Sequence, residues 1–486
     1  MQLEELKENM SQTILELLND LFHRWCGESI ISITKLPASG SPREYYRITG
    51  TSRTAIGAIN QDREENVAFI EFSKHFHSLG LAVPEIYLVD LEHNAYLQED
   101  LGDLTLFDHV FQLRDNGDFP ETLTEVYKVV LTELQKFQIE GAKNLNYSVC
   151  YPRASFDQQS MQWDLSYFKY YFLKLAGIPF NEQLLENDYS TLIDYLLDQE
   201  TDYFLYRDFQ SKNVMLRDGL PCFIDYQGGR KGALQYDVAS LLYDSKADIP
   251  PAVREELLEH YIAGLSAYPS VDAAKFRESY YAYVLIRIMQ AMGAYGFRGF
   301  YEKKTHFLQS IPYALNDLNW ILNNVKFQIK IPTLLKVFED LLEAPKLKRF
   351  KDKGGRKSTL TVNINSFSYK HGIPEDPNGH GGGYVFDCRV ITNPHRVDHL
   401  KDLNGKDKPV IEFLEQQGDV NEFLSSTFSL VDMSADKYEE RNFTHLRVNY
   451  GCTGGQHRSV YCAERLAAHL RESQNVRVTL WHRELD

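Results

Sequence analysis

Phosphoryl transfer needs a carboxylate that orients the attacking hydroxyl and accepts its proton. It also needs oxygen ligands that hold a divalent cation against the phosphates. The stretch Phe204-Leu205-Tyr206-Arg207-Asp208-Phe209-Gln210-Ser211-Lys212-Asn213 carries one such carboxylate, Asp208, and one amide oxygen, Asn213. Val214-Met215-Leu216-Arg217, Asp218-Gly219 and Pro221-Cys222-Phe223-Ile224-Asp225 follow directly. An Asp-Gly pair between two short apolar runs predicts a β-hairpin. A hairpin of that length brings its ends together, so Asn213 and Asp225 are expected side by side, with Asp208 facing the same space. An Asp and an Asn at this spacing are common. The hairpin and the second Asp make the pattern specific.

A second group lies near the other end of the chain. Leu446-Arg447-Val448-Asn449-Tyr450 alternates as a strand, and Gly451-Cys452-Thr453-Gly454-Gly455-Gln456-His457-Arg458-Ser459 reads as a loop. Val460, Ala463, Leu466, Ala467 and Leu470 then fall on one helical face. A glycine-rich turn from strand to helix presents backbone N–H groups at the positive end of a helix dipole, which suits phosphate or carboxylate. His457 and Arg458 add charge. Two more strands end in polar loops: Asn363-Ile364-Asn365 runs into Ser366 through Gly372, and Val385 through Arg389 runs into Asn393-Pro394-His395. Parallel pairing would bring all three loops to one carboxyl edge of a sheet. Cys452 to Arg458 also has the Cys-x5-Arg spacing of cysteine phosphatases, with Asp387 as the one candidate acid. That spacing is short and easily met by chance, so binding without catalysis is expected.

The elements around these groups follow from pattern and composition. At about 150 residues per domain, 486 residues suggest roughly three units. Hydrophobic residues at 43% and aromatics at 13% exclude a disordered chain. A formal charge of −16 argues against a protein that mainly coats nucleic acid. No apolar run approaches the ~18–20 residues of a bilayer span; Ala282 to Met292 comes nearest and carries Arg287. The acidic start, Met1 to Glu8, has no signal core, and the six scattered cysteines form neither a disulfide framework nor a zinc site. A cytoplasmic protein is expected. Leu3, Leu6, Met10, Ile14, Leu17 and Leu21 predict a first helix, followed by strands around Tyr45 to Ile48 and Thr54 to Ile59. A helix is expected from about Val67 to Leu79, and a mostly helical region from Glu121 to Phe327, interrupted at about Phe204 to Asp237. The sharpest change of composition, Lys346 to Ser358, is basic and holds Gly354-Gly355, the texture of a solvated linker, which ranks ahead of a phosphate-backbone contact.

On Asp208, Asn213 and Asp225 the chain resembles the aminoglycoside phosphotransferase-like kinases over residues 25 to 325. The resemblance implies a bilobal, protein-kinase-like α+β domain that uses ATP and Mg²⁺. It makes Asp208 the catalytic base, with Asn213 and Asp225 as metal ligands. Tyr236-Asp237-Val238-Ala239 matches the family's helix start, where Asp237 fits an N-cap or a salt bridge. Ser41-Pro42-Arg43-Glu44-Tyr45-Tyr46-Arg47 and Ile224-Asp225-Tyr226-Gln227 resemble the kinases that phosphorylate the anomeric hydroxyl of N-acetylmuramate and N-acetylglucosamine. Tyr206 stands where most of the family has His. The strand Ala55 to Asn60 lacks the Lys that usually holds the α- and β-phosphates, and Arg43 and Arg47 are the candidates to replace its charge. Tyr96 through Gly102, with Glu99, sits where the adenine-binding hinge should be.

Residues 359 to 485 resemble the C-terminal domain of the RapZ family. The matching pieces are Ser366 through Gly372, Asp387-Cys388-Arg389, Asn393-Pro394-His395 and Gly451 through Ser459. The resemblance implies an α/β domain with a mainly parallel sheet that senses an amino-sugar phosphate. Its pocket would be built from Lys370, Asp387, Arg389, Asn393, His395, Thr453, Gly454, Gly455, Gln456, His457 and Arg458. It also implies oligomerisation and RNA contact, although the sequence ends at Trp481 to Asp486 without a basic tail. The expected organisation is a kinase domain over 1–335, a basic linker over 336–358 and the sensing domain over 359–486. The expected function is ATP- and Mg²⁺-dependent phosphorylation of an N-acetylated amino sugar at its anomeric hydroxyl, in cell-wall sugar recycling or UDP-sugar supply, with a sugar-phosphate effector and no membrane. The alternatives are a pseudokinase scaffold joined to a sugar-phosphate or RNA sensor, and a thiol phosphatase in the C-terminal domain.

Overall fold

The computed structural model describes residues 2–37, 43–114, 119–302, 304–348, 360–376, 383–441, 443–473 and 476–485. Ser41 and Pro42 of the first arginine motif, and most of the basic stretch, lie outside them. The chain divides into two compact units. One is Met1–Ala294 with Tyr313–Glu343, and the other is Tyr295–Pro312 with Ala344–Asp486.

The first unit opens with the helix Gln2–Cys26 and a five-stranded antiparallel sheet. Its strands are β1 (Ser32–Lys35), β2 (Glu44–Thr49), β3 (Thr54–Ile59), β4 (Ile86–Asp90) and β5 (Ala95–Gln98), in the order β1-β2-β3-β5-β4. Leu18, Leu21 and Phe22 of the helix pack on Tyr46, Ile48, Ala55 and Ala95. Gly57 permits this approach: a Cβ there would stand 2.6 Å from a Leu18 methyl. The next helix runs Arg63–Ser78, starting before the expected Val67 because its first turn is polar. Asp62 caps it, accepting the Glu65 N–H at 3.1 Å.

After β5 the unit is mainly helical, with two short antiparallel strand pairs set among the helices. β6 (Tyr203–Leu205) pairs with β9 (Arg230–Gly232), and β7 (Val214–Arg217) pairs with β8 (Leu220–Phe223). Asp218 and Gly219 make the expected turn with φ of 51° and 80°, the left-handed geometry that tight hairpins require. Ala282 to Met292 lies in the helix Ala273–Tyr295, which is mostly buried. Among the described residues no helix is long and apolar enough to cross a membrane. The start of the expected linker is helical: Pro332–Glu343 buries Leu334, Val337, Phe338 and Leu341, and the Leu334 N–H donates to Asp188 at 2.8 Å. Apolar residues at helical spacing continue to Leu341, and the basic run begins only at Lys346. Tyr295–Pro312, placed in the kinase domain by the sequence reading, groups with the second unit.

The second unit holds β10 (Thr361–Ser368), β11 (Tyr384–Asp387), β12 (His445–Cys452) and β13 (Arg477–His482), in the order β11-β12-β10-β13. All three pairings are parallel. Val362, Ile364, Leu446 and Val448 form a core with Ala463, Leu466 and Leu470 of the helix Arg458–Ser473. Ser368 is level with Cys452, and Asp387 with Gly451, so the loops after β10, β11 and β12 leave the same edge of the sheet.

Candidate active site and anion cradle

The hairpin brings the three expected groups together. The Asn213 amide donates to Asp225 Oδ2 at 3.0 Å and to the Asp208 backbone carbonyl at 2.8 Å. That leaves the Asn213 side-chain oxygen for a cation. Gly228 runs past Asp208, where an added Cβ would lie 3.7 Å from Oδ2. Burial, and then the negative charge of Asp208, push the Asp225 carboxyl above its ordinary range. The Asp225 carboxylate beside the Asn213 amide oxygen is the kind of oxygen set that suits Mg²⁺, which is usually held by one or two carboxylates together with substrate phosphates.

Backbone strain marks the same loop. Arg207 and Asp225 have φ of 82° and 70°, uncommon for residues with a Cβ. Asp237 holds the first of these in place. It is neither an N-cap nor a salt-bridge partner: it accepts the Tyr206 and Arg207 N–H groups at 2.8 and 3.0 Å and the Gln138 amide at 3.1 Å. Burial pushes Asp237 up to about 7, against these hydrogen bonds. The Arg207 side chain forks onto Asp164 at 2.7 and 2.8 Å. Tyr206 is buried and donates to the Ile224 carbonyl at 2.5 Å, joining the loop before Asp208 to the strand end before Asp225.

The expected nucleotide residues separate. Arg43 enters the cleft: it is 4% exposed, with Nη1 donating to the Tyr45 hydroxyl at 3.2 Å and Nη2 lying 3.3 Å from Glu65 Oε2. Burial opposes its charge, and Tyr96, Tyr45 and Glu65 outweigh that opposition. Gln227 completes the network, donating to Asp225 Oδ1 at 2.8 Å and Glu65 Oε1 at 3.4 Å. Glu65 and Gln227 were not among the expected site residues. The signal for Glu65 was the capping box Asp62-Arg63-Glu64-Glu65. Arg47 does not join. Its guanidinium clamps the loop after β5, donating to Asp100 at 2.7 and 3.0 Å, to Asp103 at 2.8 and 3.0 Å and to the Gly102 carbonyl at 3.2 Å. The Glu99 side chain pairs with Arg217 of β7, and its N–H donates to the Glu85 carbonyl at 2.9 Å.

In the second unit the Gly451–Ser459 stretch turns from β12 into the helix Arg458–Ser473 as expected. Thr453, Gly454 and Gln456 are exposed at its tip. Gly455 has φ of 72°, and a Cβ there would collide with Glu484 at 2.3 Å. Its N–H donates to Cys452 Sγ at 3.2 Å, and Ser459 Oγ lies 3.2 Å from the same sulfur. Arg458, 5% exposed, donates to the Arg389 and Ile391 carbonyls at 3.2 and 2.9 Å, tying the β11 loop to the cradle. Its Nε is buried without a partner. Asp387 and Arg389 pair with each other, Arg389 lies over the Tyr369 ring, and Lys370 and His395 are exposed. Asn393 is half-buried beside them. His457 turns inward: its Nε2–H donates to the Leu400 carbonyl at 2.9 Å, and burial lowers its pKa. Hydrogen bonds from Arg389 hold the Asp387 carboxyl below the usual range. Ser368, whose hydroxyl donates to the Thr453 carbonyl at 2.7 Å, and Glu484, which accepts the Ser368 N–H at 3.2 Å, were missed as supports of the loop.

A β-sheet lobe followed by a helical lobe, with the Asp208, Asn213 and Asp225 group on the short strands, has the architecture of a kinase-like phosphotransferase. The model of the phosphotransferase enzyme family matches residues 32–274, half of the chain, and the chain belongs to that family. The RapZ C-terminal domain matches residues 360–486. Among curated relatives, the RNase adapter protein RapZ of Yersinia enterocolitica is 42% identical over 133 residues, 27% of this chain and 45% of the relative. A nucleotide-binding protein of Shewanella halifaxensis is 39% identical over 132 residues, 27% of this chain and 44% of the relative. The chain thus spans less than half the length of these relatives. Similar solved structures include choline kinase LicA from Streptococcus pneumoniae, at 16% identity and a TM-score of 0.39, covering 71% of this chain and 99% of that one. Amicoumacin kinase hAmiN in complex with AMP-PNP and Ca²⁺ is similar at 12% identity and a TM-score of 0.42, covering 71% and 97%.

Proposed function

We propose that the first unit transfers the γ-phosphoryl group of ATP to the anomeric hydroxyl of an N-acetylated amino sugar. The observation that carries this reading is the juxtaposition of Asp208, Asn213 and Asp225 around a space rich in negative charge. Asp208 orients the hydroxyl and accepts its proton. Asn213 and Asp225 would hold Mg²⁺, which supplies charge neutralisation for the phosphates. Arg43, fixed by Glu65, takes the place of the absent strand Lys. Gln227 links that pair to the metal carboxylate. The sugar class is supported by the resemblance of the Arg43 and Asp225 motifs and by fusion to a RapZ-type domain.

In the same reading the second unit binds a sugar phosphate at Thr453 to Gly455 and Arg458 and adjusts the kinase. Nucleotide-dependent release of ADP with N-acetylglucosamine or N-acetylmuramate tests the first part. No release with either sugar overturns it and leaves the scaffold reading. Arg458→Ala should remove any response of turnover to glucosamine-6-phosphate, and a response that survives contradicts the coupling.

A further inference from the structure

Asp208 is the base of the mechanism above, yet among the described residues its carboxylate accepts no hydrogen bond. Its position is therefore set by the backbone that carries it. That backbone is strained, because Arg207 immediately before it has φ of 82°. Asp237 holds the N–H side of the turn. The Arg207 side chain is held separately, and the mechanism gives its partner no part.

That partner is Asp164, on the helix Gln158–Tyr167. Both of its oxygens are spent on one guanidinium: Nη1 donates to Oδ2 at 2.8 Å and Nη2 to Oδ1 at 2.7 Å. The fork is enclosed, with the Arg207 and Asp164 side chains 16% and 10% exposed. Nη1 also donates to the Tyr236 hydroxyl at 2.7 Å, and the guanidinium lies over the Phe156 and Tyr236 rings at 5.0 and 5.2 Å. The helix that carries Asp164 is itself fixed. Asp157 caps it by accepting the Ser160 N–H at 3.0 Å, and Met161 and Leu165 are buried. Arg207 cannot swing without breaking a bidentate, charge-assisted pair inside the protein. The stem of the same side chain and the Asp208 carboxylate flank Gly228, where a Cβ would lie 3.7 Å from Asp208 Oδ2 and 3.8 Å from Arg207 Cγ. A shift of the arginine therefore moves the residue that carries the base.

We propose that Asp164 is a positioning residue for phosphoryl transfer: by clamping the Arg207 side chain it fixes the strained turn from which Asp208 reaches the acceptor hydroxyl. This rests on the kinase reading and adds to its machinery a residue outside the Asp208-to-Asp225 segment. The physical case is preorganisation, since a misplacement of about 1 Å costs about a hundredfold in rate.

The test measures ADP release with ATP, Mg²⁺ and N-acetylglucosamine or N-acetylmuramate for wild type, Asp164→Asn, Asp164→Glu and the double variant Asp164→Leu/Arg207→Met. The double variant removes both charges together, so no unpaired charge is left buried and the fold is kept. Asp164→Asn and the double variant should each lower kcat about tenfold to a hundredfold, with KM for ATP within about twofold and partial rescue by Glu. Amide hydrogen exchange of the same proteins without substrates should quicken about tenfold over 206–213 and stay unchanged in the five-stranded sheet. Unchanged kcat in the folded double variant overturns the proposal, as does a fall in kcat that only tracks a loss of folded protein. If wild type turns over neither sugar, the kinase reading fails by itself, and exchange decides for the clamp. Quickening over 206–213 then supports it, and unchanged exchange overturns it.

Discussion

The two sites differ in how far the protein satisfies its own polar groups. In the cleft, burial and the Asp208 charge push the Asp225 carboxyl up, Gln227 Oε1 is buried without a partner, and Arg207 and Asp225 have left-handed backbones. In the cradle, His457, Arg458, Asp387 and Glu484 each have a partner within the same unit, and what remains is loop N–H groups and one guanidinium nitrogen. The cleft holds unbalanced charge that a cation and nucleotide would neutralise. The cradle's buried side chains are matched within their own unit. Strain and unbalanced charge belong with chemistry, and satisfaction belongs with recognition.

The largest break in this contrast is expected at the cleft. Asp208→Asn should lower turnover by about 10²–10⁴-fold while nucleotide binding persists, as read by ADP release and by thermal shift with ATP. Arg43→Met removes one half of a buried pair and should cost about tenfold to a hundredfold in kcat/KM, because Glu65 is left beside Asp225 without its cation. At the cradle the corresponding loss is in stability. Arg458→Ala leaves the Arg389 and Ile391 carbonyls unpaired and should destabilise the second unit by about 1–3 kcal/mol, measured by denaturant unfolding.

Asp237 gives a pH signature. Its carboxyl is pushed from 3.8 to about 7, so between these values the folded state keeps a proton that the unfolded state has lost. Stability should therefore fall as pH rises through this window and level off above it. Asp237→Asn should flatten the slope in thermal unfolding. The smallest effect is expected at Arg47, whose partly exposed pairing with Asp100 and Asp103 contributes only about 0–1 kcal/mol. Arg47→Ala should shift the ATP KM by less than about threefold, since its guanidinium faces the hinge loop.

Much of this was legible in the sequence. The Asp218-Gly219 turn set the distance between Asn213 and Asp225, and alternating apolar residues followed by Gly454-Gly455 placed the cradle at the end of β12. The parts that escaped are tertiary. Nothing in Arg43 and Arg47, four residues apart in sequence, says that one is buried against Glu65 and the other meets Asp100. The inward turn of His457 depends on the Leu400 carbonyl, distant in sequence. Asp237 looked like a helix cap because the backbone it serves, at Tyr206 and Arg207, belongs to another element.

Phosphorus NMR of the protein with ATP, Mg²⁺, N-acetylglucosamine and N-acetylmuramate tests the central claim most directly. The account predicts a new sugar 1-phosphate signal that is absent with Asp208→Asn. ATP consumed with no sugar phosphate formed, or no turnover with either sugar, would contradict it.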